Sequence, residues 1–223
     1  MNTSGVPPDT ALHHSGPPKS AGSLFGRARD RDSHASWDFG LQNKCAAVVT
    51  IRPAIPSDAA FLAAIAERTF REAFASDNSR NDMDLHCAQY FSPELQSSEI
   101  SDPLLITLLA ESGDELIGFA QLRLAHATSC VQCEQPAELY RLYVSSAWHG
   151  RGAAHGLMRA VLAEAARAGS DCIWLGVWER NARAMAFYRK FGFRVVGEHA
   201  FMLGRDRQRD LILVAETNSS PSA

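Results

Sequence analysis

The sequence predicts an α/β layer protein built on a mixed sheet. Three observations carry that expectation. Short apolar runs of strand length alternate with segments of helical periodicity, in the order strand, helices, three strands, helix, strand, helix, two strands. One strand feeds directly into a glycine-containing loop and an Ala-rich helical pattern, Leu142 to Leu157, reading L-Y-V-S-S-A-W-H-G-R-G-A-A-H-G-L. A fully apolar run, Cys172 to Val177, is followed within a few residues by a further helical pattern from Asn181.

Composition sets the bounds. The 223 residues suffice for one domain with a real core plus a tail. Hydrophobic content is 46% and charged content 21%, ordinary for a soluble globular chain. A net charge of -3 offers no global basic field, so nucleic acid is not an expected partner. No apolar run approaches the ~20 residues of a membrane span, so a membrane is not expected either. The N-terminus shows no basic region followed by an apolar core, which makes the cytoplasm the default location. The five cysteines, Cys45, Cys87, Cys130, Cys133 and Cys172, are odd in number and scattered, which argues against a disulfide framework. Cys130-x-x-Cys133 has no second pair at zinc-finger spacing and reads as incidental loop thiols; no metal is expected.

The chain divides into three parts. Residues 1–46 are rich in Ser, Pro, Gly, His and Arg and cannot bury enough apolar surface to offset their ordering entropy, so a disordered extension is expected. Residues 47–217 form a single folded domain, and 218–223 a flexible tail. Within the domain, Val48 to Arg52 is a strand. Pro56-Ser57-Asp58 opens a helix with Ser57 as N-cap, and Ile65, Phe70 and Phe74 repeat at helical spacing. A polar loop spans Asp77 to Asp84, a weaker helix Met83 to Phe91, and Pro93 begins a third. Leu104 to Ala110 and Leu116 to Leu124 pair around the Ser112-Gly113-Asp114 turn. Glu138 to Val144 is the next strand; the helix after it ends at Gly169. Cys172 to Val177 is a buried strand, Asn181 to Phe191 a helix stopped at Gly192. Phe193 to Phe201 and Asp210 to Val214 are the last strands.

A strand that leads through glycines into a helix N-terminus is a phosphate-holding device. The glycines let the backbone come close, and the unpaired amides of the first turn point at the anion. The loop lacks the Gly-Lys-Ser or Gly-Lys-Thr of a P-loop, and it sits too late in the domain for a Rossmann unit, so ATPase and NAD readings fall away.

The second stretch, Trp174-Leu-Gly-Val-Trp-Glu-Arg-Asn181 through Phe187-Tyr188 to Gly192-Phe193, narrows the reading. Together the two stretches resemble the GNAT superfamily of acyl-CoA-dependent N-acetyltransferases over about Val48 to Ala215. The first resembles its Gln/Arg-x-x-Gly-x-Gly/Ala loop, with His149, Gly152 and Ala154 at the three positions. The second resembles its Asn…Phe-Tyr-x-x-x-Gly-Phe segment. The resemblance implies a GNAT-like, largely antiparallel mixed sheet flanked by helices, with acetyl-CoA as cosubstrate. By the same resemblance the Leu142, Tyr143 and Val144 backbone pairs with the pantetheine arm. The amides of Gly150, Arg151, Gly152, Ala153, Ala154 and His155 hold the pyrophosphate. His149 in place of Gln or Arg removes a permanent charge and leaves the backbone donors intact. Arg151 is either a phosphate contact or a solvent-facing arginine. Asn181 either bonds the coenzyme or only caps its helix. Tyr188, two turns beyond Asn181, is the implied proton donor to the departing thiolate, and a backbone amide near Val144 holds the thioester oxygen.

The base is less defined. An amine of pKa near 10 needs a proton acceptor; Glu138 is the first choice, acting through water, and His199 the second. The segment from Trp174 to Asn181, with Gly197-Glu-His199-Ala-Phe201-Met-Leu-Gly204-x-Asp206-x-Gln208-x-Asp210, resembles the PaiA-type polyamine acetyltransferases, which implies a spermidine or spermine acceptor. The ribosomal-protein alanine acetyltransferases carry a catalytic Glu where this chain has Gly176, which counts against a protein N-terminus without excluding it. Lysine acetylation and a non-catalytic acetyl-CoA-binding regulator are the other readings. Between Asp77 and Glu115 nine acids face one basic residue, Arg80, which suggests an acidic wall that steers a small-molecule cation. Arg205, Arg207 and Arg209 read as an exposed turn, with contact to the coenzyme 3′-phosphate or a partner subunit left open; a homodimer is open in the same way.

Overall fold

The computed structural model describes residues 48–76, 78–203 and 206–217, with the side chains of 201–203 and 206–208 excepted. The expected extension, 1–46, and the tail, 218–223, lie outside the described residues. The elements are β1 (Thr50–Pro53), α1 (Ala59–Phe74), α2 (Arg80–Tyr90), α3 (Pro93–Ser101), β2 (Leu105–Ser112), β3 (Glu115–Leu124), β4 (Pro136–Val144), α4 (Ala153–Arg167), β5 (Cys172–Trp178), α5 (Ala182–Arg189), β6 (Arg194–Leu203) and β7 (Asp206–Glu216). They form one seven-stranded sheet in the order β1-β2-β3-β4-β5-β7-β6. All neighbours are antiparallel except β4 and β5. The mixed α/β sheet expected from the sequence is the observed one.

Burial explains the layers. Leu62, Ile65, Ala66, Phe70 and Phe74 line one stripe of α1 and pack with Leu109, Phe119 and Tyr143 on one sheet face. Ala153, Leu157, Met158, Val161 and Ala165 line α4 and pack on the opposite face with Leu108, Ile117, Leu139, Leu175 and Leu213. β5, covered on both sides, reads C-I-W-L-G-V-W without alternation, as a buried strand should. Gly118 lets β3 approach β4: a Cβ there would lie 2.7 Å from the Tyr143 carbonyl oxygen.

Several local expectations are corrected. Asp58 rather than Ser57 organises the start of α1. Its Oδ2 accepts from the Ile55 amide at 2.8 Å and pairs with Arg52 Nη1 at 2.7 Å, a bond a serine hydroxyl could not make as strongly. α2 begins at Arg80, three residues early, because Ser79 accepts from the Asp82 amide. The last two strands are longer than expected and close into one hairpin. Cys133 and Cys172 are joined by a disulfide, not free. The segment after β3 folds over the start of β5 and brings together two residues 39 apart in sequence. Among the described residues this pair and Asp171 form the one group of metal-holding dimensions, and its two sulfurs are bonded to each other.

The feature that matters for function is a split in the sheet. β4 and β5 pair over only three rungs, Pro136 with Cys172, Ala137 with Ile173 and Glu138 with Trp174. Beyond them the two strands part. β4 carries an extra residue, Tyr140, where its register on β3 shifts between Leu139 and Arg141. Such a bulge bends its strand. Tyr140 is held in place by the Arg123 guanidinium 3.8 Å above its ring and by Arg141, whose Nη2 donates to its hydroxyl.

Candidate active site

The split opens a cleft of about 150 Å³ between the free end of β4 and α5. Leu142, Tyr143, Val144, His149, Ala154 and Tyr188 line it, together with Thr69, Glu72, Arg183 and Phe187. The Tyr143 carbonyl is directed at β3 and the Val144 carbonyl at the cleft, where it accepts from His149 Nε2 at 2.9 Å. Strand alternation therefore presents the main-chain groups of Leu142 and Val144 to the cleft and those of Tyr143 to β3. The three residues expected to pair with the ligand all line the cleft, two with their main chain turned to it and one with its main chain turned to β3.

His149 is wired at both nitrogens. Nε2 donates to Val144, so Nδ1 is the acceptor, 3.0 Å from Arg183 Nη1. Burial first, and then Arg183, pull its pKa below the ordinary value, in keeping with a neutral ring.

Gly150 and Gly152 have φ of 75° and 90°, left-handed values that other residues rarely adopt. Gly152 is the N-cap of α4. Among the described residues, the amides of Gly150, Gly152, Ala153, Ala154 and His155 donate no backbone hydrogen bond, whereas that of Arg151 bonds Trp148. This is an array of outward donors at the positive end of a fifteen-residue helix. The fit to a diphosphate is therefore a property of the turn itself. Arg151 is exposed, with its guanidinium 5.3 Å from the Trp148 ring centroid. The exposed His155 ring packs against Phe191.

Tyr188 is 3% exposed and reaches the cleft from α5, with its ring against Phe187 and Phe193. Burial, and secondarily Tyr143, raise its pKa well above the ordinary phenol value, so the hydroxyl keeps its proton.

A family model described as the acetyltransferase (GNAT) family matches residues 59–193. The chain belongs to that family. Uncharacterized N-acetyltransferases of Mycobacterium tuberculosis and Mycobacterium bovis are 35% identical to it over 164 residues, covering 72% of this chain and 98% of theirs. Among solved structures it is similar to the PaiA N-acetyltransferase of Thermoplasma acidophilum in complex with coenzyme A. That match has a TM-score of 0.62 and 22% identity and covers 76% of this chain and 99% of that one. The ribosomal-protein-S18-alanine N-acetyltransferase of Escherichia coli matches with a TM-score of 0.56 and 16% identity, over 78% and 96% of the two chains. At these identities both structures speak for the fold alone. As a GNAT member the chain is an acyl-CoA-dependent N-acetyltransferase.

The remaining expected residues of this acetyltransferase lie outside the cleft walls. Asn181 is fully buried and caps α5, its Oδ1 accepting from the Ala184 amide at 2.9 Å. Glu138, the expected base, is also buried. Its Oε2 is shared by Arg123 Nη1 at 2.9 Å and His126 Nδ1 at 3.0 Å. Glu138 shares a sheet row with Trp174, on the face away from α4. Three acids of the expected acidic wall are paired, Asp84 with Arg71, Glu99 with Arg141, and Glu111 with Arg52, whereas Asp82, Glu94, Asp102, Asp114 and Glu115 make no ion pair among the described residues. Asp77 lies outside the described residues. Arg209 pairs with Glu179 in the loop after β5 and with Glu198 on β6, which leaves it committed within the protein. Arg205 and the Arg207 side chain are outside the described residues.

Sequence reasoning missed Thr69, Glu72 and Arg183. Glu72 Oε2 accepts from the Ser146 amide at 2.8 Å and so braces the turn after β4. Its signal is tertiary: nothing in α1 marks it as a neighbour of a loop 74 residues away.

Proposed function

We propose that this chain transfers the acetyl group of acetyl-CoA to a primary amine, with a polyamine such as spermidine or spermine as the acceptor class, by direct attack in a ternary complex. The observation that carries the reading is the free edge of β4 running into five undonated amides, with the buried Tyr188 phenol lining the same cleft. Leu142 and Val144 pair with the pantetheine arm, and the amides of Gly150 to His155 hold the diphosphate. The coenzyme supplies an activated acyl thioester; the chain supplies position and protons. A cleft-facing β4 amide polarises the acyl oxygen. Tyr188 delivers its proton to the departing sulfur.

The polyamine acceptor rests on narrower support: the resemblance of the Trp174–Asn181 and Gly197–Asp210 sequences to the PaiA-type enzymes, the acids Glu94, Asp102, Asp114 and Glu115 left exposed and without ion pairs among the described residues, and Gly176 where a glutamate would serve a protein N-terminus. A panel of amines and peptides with acetyl-CoA, read by free thiol release, tests it. Spermidine and spermine are expected to turn over at submillimolar concentration. Turnover of peptides alone would remove the polyamine and keep the enzyme.

Coenzyme binding has its own test. His149→Ala removes two side-chain hydrogen bonds within the protein, to the Val144 carbonyl and from Arg183, and none of the backbone amides of the glycine turn, so the coenzyme A Kd measured by calorimetry is expected to change less than about tenfold. Gly152→Val forces a β-branched residue into a left-handed conformation at the diphosphate turn and is expected to weaken Kd more than about tenfold. The opposite ranking would take the diphosphate away from this turn.

A further inference from the structure

Beside the β4–β5 split, on the sheet face away from α4, lies a cluster of titratable groups. Arg123 comes from β3, His126 from the loop after it, Glu138 from β4, His199 from β6 and Asp210 from β7. Arg123 donates to Glu138 Oε2, and His126 Nδ1 lies 3.0 Å from the same oxygen without the geometry of a hydrogen bond. Nothing accounts for Asp210. It is 0% exposed, and neither carboxylate oxygen has a hydrogen-bond partner among the described residues. His199 Nε2 lies 4.0 Å from Asp210 Oδ2, beyond hydrogen-bond reach, and is itself buried and unpartnered. A buried carboxylate without a donor is costly, and native structures keep one where something else supplies the donor.

The geometry says what fits. A single nitrogen about 2.8 Å from each atom bridges a 4.0 Å gap. An ammonium group has three N–H donors: one for Asp210 Oδ2, one for the His199 lone pair, one to spare. Gly176 stands in front of the pair. It lies on β5 two residues past the last rung shared with β4. A Cβ there would already stand 3.4 Å from His199 Cε1 and 3.7 Å from Asp210 Oδ2, so a longer side chain would fill the space these groups face. Asp210 and His199 are not among the residues that line the cleft; Tyr143, which is, has its phenol raised chiefly by burial, with Arg141 opposing and Asp210 adding a smaller push.

We propose that Asp210 is the proton acceptor of the transfer reaction and that His199 seats the acceptor amine against it, a role that rests on the amine-acetylation reading above. The acceptor arrives as an ammonium and gives one proton to Asp210 Oδ2. The freed nitrogen lone pair attacks the carbonyl carbon of the acyl thioester. The C–N bond forms, the C–S bond breaks, and the sulfur takes the Tyr188 proton. The amide nitrogen returns its surplus proton to the Tyr188 phenolate, and Asp210 releases the first proton to solvent. The products are the acetamide, the thiol and one proton. Burial pushes the Asp210 carboxyl up to about 7, so it takes a proton at neutral pH. Burial lowers His199, against an opposing pull from Glu138, which keeps its lone pair available.

The test compares the full chain with Asp210→Asn, His199→Gln and Glu138→Gln. Coenzyme A binding is read by calorimetry, spermidine binding to the coenzyme A complex likewise, and transfer from pH 6 to 9. Asp210→Asn is expected to bind coenzyme A within about twofold of wild type. Its kcat/KM is expected to fall about 10²–10³-fold, with loss of the acid limb near pH 7. His199→Gln is expected to raise the amine KM about tenfold with a smaller change in kcat, and it carries the test if Asp210→Asn does not fold. Wild-type rate and acid limb in Asp210→Asn, or loss of that limb in Glu138→Gln alone, overturns the assignment and leaves the acetyltransferase reading standing. A wild-type chain that binds coenzyme A and acetylates no amine overturns both.

Discussion

Tyr188→Phe is expected to lower kcat for acetyl transfer by about 10²–10³-fold while the coenzyme A Kd stays within about twofold. The substitution deletes one oxygen from a ring that is otherwise held by Phe187 and Phe193. The packing that shapes this end of the cleft therefore survives. On the proposed reading, what is lost is the proton that goes to the departing sulfur. Because burial holds the phenol above its ordinary pKa, the donor is in its protonated form across the working range, and the wild-type profile should show no basic limb from Tyr188 below pH 10. Single-turnover kinetics separates the proton step from binding. A variant with unchanged single-turnover rate would assign the proton to another donor.

The second large effect concerns stability. Asp210 is ordinary in the unfolded chain, near 3.8, and is pushed up to about 7 in the fold by burial. Its folded pKa is raised, so the folded state holds the proton longer. Stability on account of this group is full below about pH 4 and is lost as pH rises toward 7, after which it is level. The interval spans about three pH units at roughly 1.4 kcal/mol each, an upper limit of about 4 kcal/mol. Asp210→Asn removes the titration. Urea denaturation at pH 4.5 and pH 8 should show the variant gaining on wild type by up to about 3 kcal/mol between the two values, since about 1 kcal/mol is already lost at pH 4.5. Any constant cost of the amide cancels in that difference. A gap between variant and wild type that does not move with pH would mean that Asp210 is not strained in the fold. The same charge that destabilises the sheet is the one assigned to the amine, which is the usual relation between function and stability.

Much of the fold was legible because its signals are local. β2 and β3 announce themselves by apolar runs around Gly113, α4 by its Ala-rich stripe, and β5 by unbroken hydrophobicity. The glycine turn and the Phe187-Tyr188 segment were legible for the same reason: each is a contiguous string whose chemistry follows from its own backbone. The misses are tertiary. Asp210 looks like any strand aspartate until β6 sets His199 beside it and β5 offers Gly176 in front. Glu72 and Thr69 meet the cleft only because α1 packs across the sheet. Asp84, Glu99 and Glu111 read as part of a free negative wall because their arginine partners, Arg71, Arg141 and Arg52, lie elsewhere in the chain. The Cys133–Cys172 bond joins residues from a loop and a strand whose proximity no spacing rule reveals.

The parting of β4 from β5 has one more consequence. The gap is walled by α5 on one side and by Thr69 and Glu72 of α1 on the other, the sheet face that also carries Asp210 and His199. The opening therefore runs through the sheet, and a molecule seated on the β4 edge would meet side chains from both layers.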